Sequence, residues 1–206
     1  MSEHLVKTDR GTVITNPPIA RFLFDDTRMA IVWLILRVYV GYQWLSAGWT
    51  KLNEASWMGD GSALKGYFTN AVSAPNGKPV ISIDWYRNFI QFLLDSGSYV
   101  WFAKLVAIGE FTVGVLLIIG MFVGIAAFAA GFMNWNYLMA GTASVNGLLF
   151  FIAVVLILAW KTAGWLGVDR YLLPRLGTPW RPGITAPLAA TPVAPPEKKV
   201  SSAYGA

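Results

Sequence analysis

Four long apolar runs govern what this chain can become. They cover about Met29–Gly48, Val100–Met121, Phe122–Ala140 and Leu148–Trp165. A helix that crosses a bilayer needs ~20 mostly apolar residues, and each run meets that length. Charged residues make up only 13% of the 206 positions and gather outside the runs. The pattern predicts an all-α, integral membrane four-helix bundle. The second and third runs are nearly continuous, and "IIGMFVG", with Gly120 and Gly124, supplies the tight reversal between them.

Residues 1–28 form a polar N-terminal arm that contains Pro17-Pro18 and lacks the basic-then-apolar order of a cleavable signal, so the first helix reads as an anchor. Orientation follows from lysine and arginine near the helix ends. The arm and the C-terminal tail carry ten: Lys7, Arg10, Arg21, Arg28, Lys161, Arg170, Arg175, Arg181, Lys198 and Lys199. The loop after the first helix carries four: Lys51, Lys65, Lys78 and Arg87. Both termini are therefore expected in the cytoplasm. The net charge of +5 is matched by anionic membrane lipid and calls for no nucleic acid.

Cysteine is absent and His4 is the one histidine. Thiol chemistry, a helix-borne haem ligand and ordinary zinc or iron–sulfur sites are thereby excluded. Any electrons must pass through a bound small molecule or another subunit.

The outer loop, 53–99, holds two short amphipathic stretches. "GSALKGYFTNAV" puts Leu64, Phe68, Ala71 and Val72 on one helical face. "DWYRNFIQFLLDSG" does the same with Trp85, Phe89, Phe92 and Leu93, with Asp84 placed to cap it and Gly97 beyond its end. Both are too short to span, so they are expected to lie along the interface as a lid, with "SAPNGKP" as the turn between them. After the fourth run, Tyr171 and Trp180 read as headgroup-level anchors, and residues 181–206 as a disordered Pro/Ala-rich cytoplasmic tail.

Inside the runs lies a polar layer. Arg37, Gly41, Trp44, Gly48 and Lys51 share one face of the first helix. Ala103, Ala107, Glu110 and Gly114 make a small-residue stripe on the second, and Gly124, Ala127, Gly131 and Asn134 another on the third. Counting from the cytoplasmic helix ends puts Arg37 roughly 12 Å deep and Glu110 roughly 16 Å deep, so the expected partner of Arg37 is Glu110. Gln43, Trp44 and Asn136 fall at roughly 21 Å. Such a pair fixes helix register or marks a ligand or proton pathway.

Arg37 followed by "GYQWLSAGWTKL", then "WFAKLVAIGEFTVGVLLIIGMFVG", "GFMNWNYLMAGTAS" and "LAWKTAGWLGVDRYLLP", resembles the DoxX family, and within it the DoxD-type branch, over roughly residues 29–180. The resemblance implies a four-helix bundle in the plasma membrane of a prokaryote. It also implies a subunit of a thiosulfate:quinone oxidoreductase working with a second, DoxA-like subunit, so that any catalysis would be that of a quinone-dependent thiosulfate dehydrogenase. On this reading a non-covalently bound quinone takes donors from Arg37, Gln43 and Asn134 or Asn136, stacks on Trp44 or Trp135, and receives protons through Glu110. Lys51, Lys104 and Arg87 attract the thiosulfate dianion. No metal or haem is expected, and homo-oligomers are compatible. Two other readings stay open: a non-catalytic accessory or assembly subunit of a respiratory complex, and a small proton-coupled transporter.

Overall fold

The computed structural model describes residues 6–7, 13–14, 16–73 and 79–177. The expected tail at 181–206, Trp180 and most of the 73–79 turn lie outside the described residues. Val6–Lys7 (β1) and Val13–Ile14 (β2) pair antiparallel, in a compact unit of their own. The other unit, 16–180, carries the helices.

In chain order these are α1 (Pro18–Asp25), α2 (Ala30–Leu52), α3 (Ala55–Met58), α4 (Ser62–Val72), α5 (Asp84–Asp95), α6 (Tyr99–Ile119), α7 (Val123–Met139), α8 (Asn146–Leu158), α9 (Trp160–Ala163) and α10 (Asp169–Arg175). Two segments, Thr27–Leu52 and Tyr99–Ile119, are long and apolar enough to cross a membrane. α7 and α8 are shorter, at 17 and 13 residues. The fourth apolar run is not one helix. It breaks at Ala159, and the short turn of α9 carries Thr162, whose Oγ1 donates to the Phe24 carbonyl (3.0 Å), and Lys161, which pairs with Asp25 (3.0 Å). The break is thus held by the docking of α1, a helix in the arm that periodicity did not assign. Proline at the first helical position of α1 starts it without losing a hydrogen bond.

Small residues set the main contact. Gly41 lies against Ile118 and the Gly114 carbonyl, Gly48 against the Phe111 backbone, and Gly114 against the Leu45 backbone. As numbers rise along α2 they fall along α6, so the two run antiparallel with backbones nearly touching. A side chain at Gly48 or Gly114 would push them apart. α7 and α8 form the second pair, with Gly131 facing Ala153 at 3.5 Å from an ideal Cβ. The core between the pairs is apolar and close-packed: Val40, Leu117, Val123, Ala127, Ala130, Ala153 and Leu156 are fully buried.

The reversal between α6 and α7 is built as expected at Gly120, whose φ of +72° favours glycine, but Gly124 belongs to α7 and serves to admit Trp160.

The loop after α2 folds as a lid with its own core. Leu64, Phe68 and Ala71 of α4 join Ile81, Tyr86, Ile90 and Leu93 and rest on Ala103 of α6 and Ala140 beyond α7. For α4 the expected face is the buried one, save that Val72 is only half-buried. For α5 it is not. Tyr86, Ile90 and Leu93 are buried, while Trp85 (61%), Phe89 (42%) and Phe92 (62%) are exposed. The helix has apolar residues on two faces, and periodicity alone selected the more aromatic one. The Tyr86 hydroxyl decides the matter, because only this rotation brings it to the Asn136 side chain (3.1 Å). Asp84 does not cap α5; it is the first helical residue and pairs with Arg87.

Candidate functional site

Glu110 stands at the middle of α6 and is fully buried. It does not meet Arg37. Its Oε2 takes the Lys51 ammonium at 2.5 Å, and its Oε1 accepts from the Tyr137 hydroxyl at 2.5 Å. Three helices thus converge on one carboxylate: α6 provides it, α2 the cation and α7 the phenol. The Lys51 side chain is 17% exposed and also lies over the Trp57 ring (4.8 Å to its centroid).

The register explains the miss. With Gly48 opposite Phe111, the next inward-facing turn of α2 brings Lys51 level with Glu110. Arg37 lies at the level of Gly120, ten residues further along α6, or about 15 Å. Depth counting took the cytoplasmic ends of α2 and α6 as level, whereas the first turns of α2 extend past the end of α6 to pack against α9 and to meet α1 through Trp33, whose Nε1 donates to the Leu23 carbonyl (3.1 Å).

A cavity of about 290 Å³ opens beside Glu110, lined by Gln43, Trp44, Ala47 and Lys51 of α2, Tyr137 of α7, and Thr142, Val145, Asn146 and Leu149 at and before α8. Trp44 is buried and stacks on Tyr137 (6.3 Å, 27°), and its indole N–H has no partner. A larger groove of about 490 Å³ between Tyr42, Leu45, Ser46, Trp49, Phe111 and Val115 is almost wholly apolar and contains no charged side chain.

The residues expected from sequence divide sharply. Glu110, Lys51, Gln43 and Trp44 come together at the cavity. Asn134 is buried one turn before Tyr137, with neither side-chain atom bonded among the described residues. Trp135 and Asn136 point to the lid: Trp135 stacks with Trp85 (6.4 Å, 21°), and Asn136 accepts from Tyr86. Arg87 is held by Asp84 and the Ile81 carbonyl. Lys104 is half-buried and has no bonded partner among the described residues. Lys51 is paired with Glu110.

Tyr137, Thr142 and Asn146 were missed. The signal for Tyr137 was the stripe Gly124–Ala127–Gly131–Asn134, whose next member by helical spacing is Tyr137. Asn146 is the first residue of α8 and donates to the Thr142 carbonyl (2.9 Å).

The lid closes over the same cluster. Tyr67 of α4 meets Tyr137 edge-on (6.0 Å, 69°), and its hydroxyl shares a hydrogen bond with Thr142 Oγ1 (2.7 Å). Burial pushes the Tyr67 phenol up; it pushes that of Tyr86 up to about 12, with Tyr67 adding to the effect.

At the far end of the bundle lies a second buried charged centre. Arg37 donates from Nη2 to the Leu166 carbonyl (3.1 Å), and its Nη1 is enclosed by Gly120 and Gly167. Asp169 accepts from the first two free N–H groups of α7, Phe122 (2.6 Å) and Val123 (2.9 Å). Burial pushes the Asp169 carboxyl up, opposed by the Val123 and Phe122 N–H groups and by Arg37.

The family model described as TQO small subunit DoxD matches residues 32–184, a stretch that contains both centres and the lid. No curated protein and no solved structure matches the chain. The match covers most of the sequence, and the chain belongs to the DoxD family.

Proposed function

We propose that this chain is the quinone-binding membrane subunit of a thiosulfate:quinone-type oxidoreductase, and that the Glu110 cavity is where the quinone is reduced. The reading rests on one observation: a fully buried carboxylate, bonded on both oxygens by Lys51 and Tyr137, lines a cavity whose wall also includes Trp44. Family membership supports the assignment to a quinone-linked complex. In this reading α2, α6, α7 and α8 span the bilayer, the last two with help from bilayer thinning and flanking turns. The lysine and arginine bias puts the lid outside and both termini in the cytoplasm. A second subunit delivers the electrons from a sulfur compound.

A quinone, when bound, supplies two carbonyl acceptors and takes up two electrons and two protons. The chain's own groups suit that chemistry. Trp44 would hold the ring, its indole face offering a stacking surface and its N–H a donor for one carbonyl. The Lys51 ammonium and the Gln43 and Asn146 amides line the remaining wall. Glu110 holds and passes protons, since a carboxylate between a phenol and an ammonium can take a proton from either and return it. Tyr137 orients Glu110 by its hydrogen bond. Surrounding apolar side chains exclude water and strengthen each of these contacts.

The test is whether the protein purified from membranes carries quinone in stoichiometric amount, and whether Glu110→Gln, nearly isosteric, abolishes quinone reduction with the partner subunit while the protein stays folded. An accessory subunit would contain no quinone and tolerate the substitution. A transporter would instead show substrate-dependent proton uptake in vesicles.

A further inference from the structure

The cavity has a floor and a rim. Trp44, Glu110 and Leu149 are buried and form the floor; Gln43 and Ala47 of α2 are half-buried, Asn146 of α8 is half-buried, and Val145 before it is 49% exposed. The rim therefore lies on the seam between α2 and α8, which is the looser of the bundle's contacts: α2 is zipped to α6 by its glycines, and α7 to α8 along their length. Toward the lid, three of the cavity's lining residues are covered by lid side chains. The Tyr67–Thr142 bond crosses that end, the Tyr67 ring sits against Tyr137, and Trp57 covers the Lys51 ammonium.

We propose that the α2–α8 seam is a lateral portal, through which a neutral ligand carrying an apolar tail reaches Glu110 from the bilayer rather than from water. This rests on the reading of the cavity as a quinone site and adds its route of entry and its selectivity. The charge inside the cavity points the same way. Lys51 and Glu110 cancel, and Tyr137 and Tyr67, the other titratable groups facing them from α7 and α4, are neutral phenols. A dianion such as thiosulfate would enter a low-dielectric space with no uncompensated cation to receive it. The anionic donor is accordingly handled elsewhere, on the partner subunit or at the lid surface. The tail of the ligand stays in the seam between Ala47 and Val145, while its ring lies on the floor.

Because the chain contains no cysteine, single cysteines report the portal directly. Val145→Cys and Ala47→Cys, one on each side of the seam, are placed in the full chain in liposomes. Ser62→Cys, on the lid surface, is the aqueous control. The portal predicts that both seam cysteines react with a membrane-soluble maleimide and resist an impermeant one. It also predicts that a fully ring-substituted benzoquinone with a decyl tail slows their labelling several-fold, that the same ring without a tail slows it much less, and that thiosulfate leaves it unchanged. Rapid reaction with the impermeant reagent, or no reaction with either, would overturn the portal. So would opposite behaviour of the two seam positions. Labelling from the membrane that no quinone slows would keep the portal and remove the quinone.

Discussion

The bundle buries charge at both ends, and the two centres are made of different things. At the lid end Glu110 is bonded to side chains from two other helices and faces a cavity. At the other end Arg37 and Asp169 bond to backbone: a carbonyl at Leu166 and the N–H groups that open α7. Partners drawn from backbone fix the ends of helices, since these leave orphan groups that must be satisfied. Partners drawn from side chains can exchange protons and shift toward a ligand. On the proposed function, the Arg37–Asp169 centre belongs to architecture and the Glu110 centre to chemistry.

The largest expected effect on stability is at the outer pair. Glu110→Leu strands the Lys51 ammonium and should cost about 3–5 kcal/mol, the usual result of breaking a buried ion pair. Lys51→Leu with Glu110→Leu should recover part of the loss, with a coupling of about 0.5–3 kcal/mol between the two. Arg37→Leu combined with Glu110→Leu should instead be additive to within about 0.5 kcal/mol, because the residues sit in different centres. Thermal unfolding in bicelles measures all of these. Coupling between Arg37 and Glu110 would collapse the two centres into one.

Asp169→Ala should come next. It uncovers the Phe122 and Val123 N–H groups, at about 1–3 kcal/mol for each buried donor left unsatisfied. Asp169→Asn keeps one acceptor and should cost less. Hydrogen exchange should show the loss concentrated in the first turn of α7, with the lid unchanged.

Gly120→Ala follows. A side chain there meets a left-handed backbone and the Arg37 guanidinium, so about 1–2 kcal/mol is lost from conformation alone, and more if Arg37 must move. Pairing it with Arg37→Ala should remove the clash with the guanidinium but leave the conformational cost and the close approach to Gly167 Cα (2.9 Å).

A further effect is one of pH, on the lid. The Tyr86 phenol titrates at 10.0 in the unfolded chain and at about 12 when docked, mainly because burial disfavours its ionised form. The folded state thus holds its proton more tightly. The stabilisation is fully present below pH 10 and declines as pH rises toward 12. Protease sensitivity of the lid should increase over that window and be less pH-dependent in Tyr86→Phe.

What could be read from the sequence followed the strength of each pattern. The all-helical fold, the turn at Gly120 and the buried face of α4 each rested on a single dominant signal. The face of α2 carrying Arg37, Gly41, Trp44, Gly48 and Lys51 was also correct: its five members are the contacts to α6 and to both charged centres. What no pattern along one helix can supply is the offset between two helices. Glycines said that α2 and α6 approach closely, but not that Gly48 faces Phe111. That offset replaced Arg37 with Lys51 as the partner of Glu110. The rotation of α5 was lost for a related reason, because the polar hydroxyl of Tyr86 finds its acceptor on another helix.

The division between the centres is tested most directly by quinone reduction per folded molecule, with the partner subunit present, in Glu110→Gln and Asp169→Asn side by side. The account predicts that Glu110→Gln, whose amide keeps a hydrogen bond to Lys51, unfolds later than Glu110→Leu and loses about 100-fold or more of its rate per folded molecule, in the range expected for removing an acid–base group. Asp169→Asn should unfold earlier but turn over at the parental rate for as long as it is folded. Equal activity in Glu110→Gln, or a rate loss in Asp169→Asn without any loss of stability, would contradict it.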